Sequence, residues 1–156
     1  MVLLYRISKT KRIKDLSGEG ARLYGGRWNI KGTSVLYTSD STALATLETL
    51  VHTPLNLMPK TLSIATLQLA DNWNVLTLGL EELPQKWCIN PAPPELAQMG
   101  QRWIEQESSV AFVVPSSVTP TGEGRNYILN PRHSDFSRIK IIKVCKYDYD
   151  ERLFST

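Results

Sequence analysis

The sequence predicts an α+β fold, a compact mixed α/β domain with a central β-sheet core, and three observations carry that reading. Short runs rich in β-branched and aromatic residues recur along the whole chain. Segments with helical spacing fall between them, without the regular strand and helix alternation of a doubly wound sheet. The 156 residues are 42% apolar and 21% charged, which fits a single domain over 1–156 around one hydrophobic core.

Val2 to Ile7 forms the opening strand in this reading, an apolar run with β-branched and aromatic members. The stretch LSGEGARLYGGRWNIKG that ends at Gly32 carries five glycines and reads as a loop, its glycines allowing positive φ angles and close backbone approach to a ligand. Ser34 to Ser39 returns to strand residues. Asp40 and Ser41 are good N-caps for a helix over TALATLETLVHT. At about 100° per residue, Leu50, Ala43, Leu47, Val51 and Leu44 make one apolar stripe, and Glu48 falls just beyond its Leu44 edge. Glu48 is therefore expected at the margin of the core.

Thr61 to Leu69 and Val75 to Leu80 are the next strand candidates, followed by a polar stretch with Pro84, Pro91, Pro93 and Pro94. Helix resumes near Glu95, where Leu96, Met99 and Trp103 share a face and Trp103 is expected to anchor it in the core. Ser109 to Pro115, Asn126 to Leu129 and Ile139 to Val144 complete the set of strands, separated by a turn rich in Gly and Thr and by the PRHSDF loop.

Eighteen basic against fifteen acidic residues give a net charge of +3, too small and dispersed for a nucleic-acid footprint. The densest basic run, Lys9, Lys11, Arg12 and Lys14, reads as a solvated face. Cys88 and Cys145 lie far apart with no histidine or cysteine at metal-ligand spacing, so no metal site is expected. The sequence shows no signal peptide and no apolar run of membrane length, which points to the cytoplasm and reduced thiols.

No GxSxG nucleophile and no phosphate-binding P-loop are present. His52 falls in the last turn of the expected helix, where it complements the macrodipole, and His133 falls in a loop; both read as structural. The remaining polar residues in apolar or glycine-rich surroundings are Arg6 in YRI, Arg27 in GGRWN, Tyr37 in LYT, Glu48 in ATLE and Ser116 in VPSS. Each also has a plain reading: a strand arginine reaching water, an ordinary strand tyrosine, a glutamate paired with a lysine, a serine capping a turn.

Together these residues and their flanks resemble the RES domain nearly end to end. The resemblance runs through Tyr5-Arg6, Gly25-Gly26-Arg27-Trp28-Asn29, Gly32, Leu36-Tyr37, Ala43 to Glu48, Val114-Pro115-Ser116, Asn126 and Asn130-Pro131. The arginine, glutamate and serine of the family's name correspond to Arg27, Glu48 and Ser116. The serine is doubled, so Ser117 competes with Ser116, which directly follows Pro115 as the family's serine does.

The resemblance implies a fold similar to the ADP-ribosyltransferases and an activity that consumes NAD by hydrolysis or phosphorolysis, with NAD as substrate, inorganic phosphate as a candidate co-substrate and no prosthetic group. It implies Arg27, Tyr37, Glu48 and Ser116 as catalytic positions, and Arg6, Arg27, Tyr37, Ser116 and Asn126 as NAD-binding ones. Some relatives look instead like protein ADP-ribosyltransferases. The family's usual partner is an antitoxin with a helix-turn-helix domain of the Xre type that closes the toxin's active site, and a toxin homodimer within that complex is expected. Direct nucleic-acid and membrane binding are not.

The chemistry explains these residue types. Breaking the ribose–nicotinamide bond builds an oxocarbenium-like centre that a carboxylate such as Glu48 stabilises. Arginine forks such as Arg6 and Arg27 suit a diphosphate, Tyr37 offers a face to the cationic ring, and Ser116 would hydrogen-bond the ribose or the amide. Two rival readings stay open: a transferase that modifies a protein, and a non-enzymatic binding module, which would bind nucleic acid in a salt-sensitive way and tolerate loss of Glu48.

Overall fold

The computed structural model describes residues 1–119 and 121–154. Strands β1 (Val2–Lys9), β2 (Leu36–Ser39), β3 (Leu62–Leu69), β4 (Val75–Thr77), β5 (Ala111–Pro115), β6 (Arg125–Leu129) and β7 (Lys140–Tyr147) form one seven-stranded sheet in the order β4-β5-β6-β2-β1-β3-β7. Every neighbouring pair is antiparallel except β4 with β5. That parallel pair requires a crossover, which helix α3 (Pro94–Gln106) supplies.

Residues 111–115 of β5 are all buried, because alternate side chains serve cores on opposite faces. Ala111 joins Leu4, Leu36, Leu67 and Leu129 on one face. Phe112 and Val114 join Trp28, Leu96, Trp103 and Ile128 on the other. Trp103 is the expected anchor of α3: its ring stacks on Phe112 at 5.4 Å and its Nε1–H donates to Ser109 Oγ at 2.9 Å. Gly100 lets α3 sit directly on the main chain of Trp28, whose carbonyl oxygen lies 1.8 Å from where a Cβ would be.

Strands β1 and β3 pair along eight residues, whereas β1 and β2 share only the pair Tyr5↔Ser39. Beyond it the two strands splay, and the segment between them in sequence covers the gap. That segment is not all loop: Glu19–Tyr24 forms a short helix, α1, held by the Glu19–Arg22 pair at 2.6 Å and flanked by Gly18 and Gly25 in the left-handed region. Six residues that include Gly20 give too weak a periodicity to show in the sequence.

Helix α2 (Thr42–His52) starts as expected, with Ser41 Oγ accepting from Leu44 N at 3.2 Å. Its buried face is not the expected apolar stripe. Leu44 and Ala45 are buried, while Leu47 and Val51 are 39% and 60% exposed. The helix is turned because its inner neighbours offer polar partners: Ser116 and Asn126 bond Glu48, and the Tyr147 hydroxyl bonds Thr46. Glu48 consequently points inward from the same side of the helix as Leu44 and, 20% exposed on the cavity wall, lies at the margin of the core.

Candidate active site

One row of residues crosses four strands where the two halves of the sheet meet: Tyr5 of β1, Ser39 of β2, Asn126 of β6 and Val114 of β5. The splay beside this row opens a cavity of about 520 Å³. Arg6, Ile7 and Ser8 of β1 line one wall, Tyr37 and Thr38 of β2 face them, Gly25 to Arg27 close one side, and Glu48 comes from α2. The volume falls within the roughly 300–1,000 Å³ of small-molecule sites.

Glu48 is held by a relay. Its Oε1 accepts from Ser116 Oγ at 2.8 Å and from Asn126 Nδ2 at 2.6 Å, and Asn126 Oδ1 accepts from Ser39 Oγ at 2.9 Å. A carboxylate only accepts, so the Asn126 amide has one orientation that satisfies both partners. Ser116 Oγ also accepts from Val118 N at 3.1 Å. Among the described residues Oε2 makes no such short contact; it lies 3.8 Å from His52 Nδ1, one helical turn on.

Ser116 is fully buried and does not reach the cavity wall, whereas its neighbour Ser117 does. Ser116, expected to hydrogen-bond the ribose or the amide, has its hydroxyl on the Glu48 carboxylate.

Arg27 sits on the wall with its guanidinium donating to the carbonyls of Trp87 at 2.8 Å and Ile89 at 3.1 Å. Burial lowers its pKa from the ordinary arginine value, opposed by the nearby Glu48 carboxylate; an arginine keeps its proton regardless. Arg6 donates to the Ile13 carbonyl at 2.9 Å, and burial lowers its pKa against the pull of Asp15. Arg6 and Arg27 thus share the cavity with the Glu48 carboxylate, and Arg12, Asp15 and Glu19 also line it.

The Tyr37 hydroxyl donates to Asn29 Oδ1 at 2.7 Å and accepts from Trp28 N at 3.1 Å, which turns the ring's edge into the GGRWN segment. Burial raises its pKa well above the ordinary tyrosine value, so the phenol is neutral. Gly26 makes this approach possible, since a Cβ there would lie 2.7 Å from the Tyr37 oxygen.

Of the six residues singled out from sequence, Arg6, Arg27, Tyr37, Glu48 and Asn126 line the cavity and Ser116 lies beneath Glu48. Sequence reasoning missed Asn29, whose amide donates to Ala21 and Thr33 carbonyls and ties the GGRWN loop together, and Ser39. Asn29 stood within the quoted motif. Ser39 carried no signal of its own. Among the described residues no group of three or more His, Cys, Asp or Glu is placed to hold a metal ion, and no helix is long and apolar enough to cross a membrane.

Residues 3–152 match the family model described as RES domain. A protein named Toxin Res from Yersinia enterocolitica serotype O:8 is 35% identical over 154 residues, 97% of this chain and 99% of that protein. A protein named Prs ADP-ribosylating toxin from Sphingobium sp. (strain YBL2) is 35% identical over 150 residues, 94% of this chain and 91% of that one. Among solved structures, the crystal structure of the M. tuberculosis MbcT–MbcA toxin–antitoxin complex contains a chain of similar fold. The TM-score is 0.77 at 19% identity, covering 94% of this chain and 84% of that one.

Proposed function

Because the chain belongs to the RES-domain family, we propose that it is the toxin of a toxin–antitoxin pair and that its cleft binds NAD and cleaves the bond between nicotinamide and ribose. The observation that carries the chemical part is the Glu48 carboxylate, fixed through one oxygen by Ser116 and Asn126 in a cavity whose walls hold Arg6 and Arg27.

In this reading Glu48 Oε2, the oxygen without a short protein partner, faces the reacting ribose and stabilises the positive charge that grows at its anomeric carbon. Fixing Oε1 removes the need to reorganise the carboxylate as that charge appears. Ser116 and Asn126 act as positioning residues for it. Arg6 and Arg27 provide forked donors for the diphosphate, and the Tyr37 ring offers its face to the cationic nicotinamide, an attraction of roughly 0.5 to 2 kcal/mol. The phenol's neutrality matches a stacking role and leaves no anion to compete with Glu48.

The acceptor names the product. Water gives ADP-ribose, phosphate gives its phosphorylated form, and a protein side chain gives a modified target. The Sphingobium relative, named for ADP-ribosylation, is as similar to this chain as the Yersinia one, so transfer to a protein stands as the second reading. Both begin with the same bond cleavage.

An antitoxin segment that occupies the arginine-lined cleft would exclude NAD and silence the toxin, which would act in the cytoplasm; in this reading the antitoxin would be of the Xre helix-turn-helix type and the toxin would dimerise within the complex. NAD turnover unchanged by saturating antitoxin would refute that part.

The deciding experiment measures NAD loss and product mass for the purified chain, with and without phosphate, beside Glu48→Gln. That change keeps the acceptor oxygen for Ser116 and Asn126 and removes the charge. NAD loss confined to the unmutated protein is expected. Equal loss in both would remove Glu48 from the chemistry, and loss in neither would leave protein transfer or a binding role.

A further inference from the structure

The guanidinium of Arg27 is gripped by a stretch of main chain sixty residues away. Its two terminal nitrogens donate to the carbonyls of Trp87 and Ile89, the residues on either side of Cys88. An arginine has five N–H donors, so three remain for the cavity that Arg27 lines.

The Trp87–Ile89 turn is shaped to present those carbonyls. The turn is closed by its own main chain, the Trp87 N–H donating to the Pro84 carbonyl and the Ile89 N–H to the Lys86 carbonyl, both at 3.2 Å, while the oxygens of Trp87 and Ile89 accept from Arg27. Lys86 adopts φ 62°, a left-handed conformation that a non-glycine residue takes only when its surroundings impose it. The Trp87 side chain packs against the core that holds Trp28, Trp103 and Phe112, so the turn is fastened to the same cluster as the residue next to Arg27.

We propose that the Trp87–Ile89 turn is a positioning element of the cleft: it brackets the Arg27 guanidinium with two main-chain carbonyls, and Trp87 is the positioning residue that fixes the bracket to the core. The consequence for binding rests on the NAD reading above. A free arginine would have to be ordered when an anionic ligand arrives, whereas a bracketed one meets the diphosphate with its fork already set. The bracket itself is independent of what the ligand is. Its partners are backbone oxygens, so side-chain identity at Cys88 and Ile89 is of little consequence, and Trp87 carries the sequence dependence.

The experiment has two arms. Hydrogen exchange of the full chain without ligand is compared between the unmutated protein and Arg27→Ala. Faster exchange at 86–90 in the variant, with the rest unchanged, is expected; identical exchange there overturns the bracket whatever the ligand. In the second arm NAD kinetics are measured for Trp87→Ala and Trp87→Phe. Losing the pre-ordering of one long side chain corresponds to roughly a three- to tenfold rise in KM with kcat nearly constant, and the phenylalanine variant should restore most of it. A fall in kcat at constant KM, or no rescue by phenylalanine, overturns the positioning role. No NAD loss in the unmutated chain overturns the NAD reading, and the exchange arm then still judges the bracket.

Discussion

Removing the Ser116 hydroxyl tests the relay around Glu48 at its most enclosed point. In Ser116→Ala the carboxylate loses the 2.8 Å bond, the Val118 N–H loses its 3.1 Å acceptor, and the site is fully buried. A hydrogen bond to an ionised acceptor is worth about 1.5–3 kcal/mol and one between neutral groups about 1 kcal/mol. Losing both, Ser116→Ala should therefore cost about 2.5–4 kcal/mol, or about 5–16 °C in Tm at 2–4 °C per kcal/mol for a domain of this size.

The same change made in a Glu48→Gln background removes a bond to a neutral amide oxygen, so its cost should fall by about 0.5–2 kcal/mol. The assay is urea unfolding of the four proteins of this cycle at pH 7, with the m-values compared to check that the two-state treatment holds. The Val118 bond is lost equally in both backgrounds and cancels. Equal costs of Ser116→Ala in the two backgrounds would show that the serine does not engage the Glu48 charge.

Two further predictions concern the walls of the site. Burial holds the Tyr37 phenol protonated to higher pH than in the unfolded chain, so its contribution to stability is complete below about pH 10 and is lost as pH rises beyond, at up to about 1.4 kcal/mol per unit. Tyr37→Phe should flatten the decline of urea stability above pH 10, with Tyr127 and Tyr149, whose pKa values are also raised by burial, common to both proteins. Superimposable pH slopes would contradict the burial argument. Gly100→Ala should destabilise by about 1–3 kcal/mol in thermal unfolding, because the new Cβ meets the Trp28 carbonyl, main chain that cannot rotate aside. Helix propensity alone favours alanine by about 1 kcal/mol, so a raised Tm would mean that α3 is not seated on Trp28.

Much of the fold was legible locally. Strand-forming runs marked all seven strands to within a few residues, Ser41 announced the start of α2, and the spacing of Leu96, Met99 and Trp103 gave the inner face of α3. Strands and caps are properties of neighbours in sequence, which is why they can be read. The strand expected over 75–80 stops at Thr77 and turns into a short 3-10 helix at Leu80–Glu82, where Gly79 and two acidic residues break the apolar run.

The rotation of α2 was not legible, because periodicity identifies the apolar stripe and assumes that the stripe is buried. Here the inner face was chosen by polar partners from other strands, and Leu47 and Val51 remained outside. The bracket around Arg27 was equally hidden, since main-chain carbonyls have no sequence signature.

The sequence by itself determined the strand-rich mixed architecture and, through the RES motifs, the residue types brought to the site: Arg6, Arg27, Tyr37, Glu48, Ser116 and Asn126. Only the tertiary structure decided which of them meet. Glu48 finds Ser116 and Asn126 across 68 and 78 residues of chain because β2, β5 and β6 pair in the register that aligns Ser39, Asn126 and Val114. Register is fixed by side-chain packing on both faces of the whole sheet, a sum over distant contacts that no local window contains.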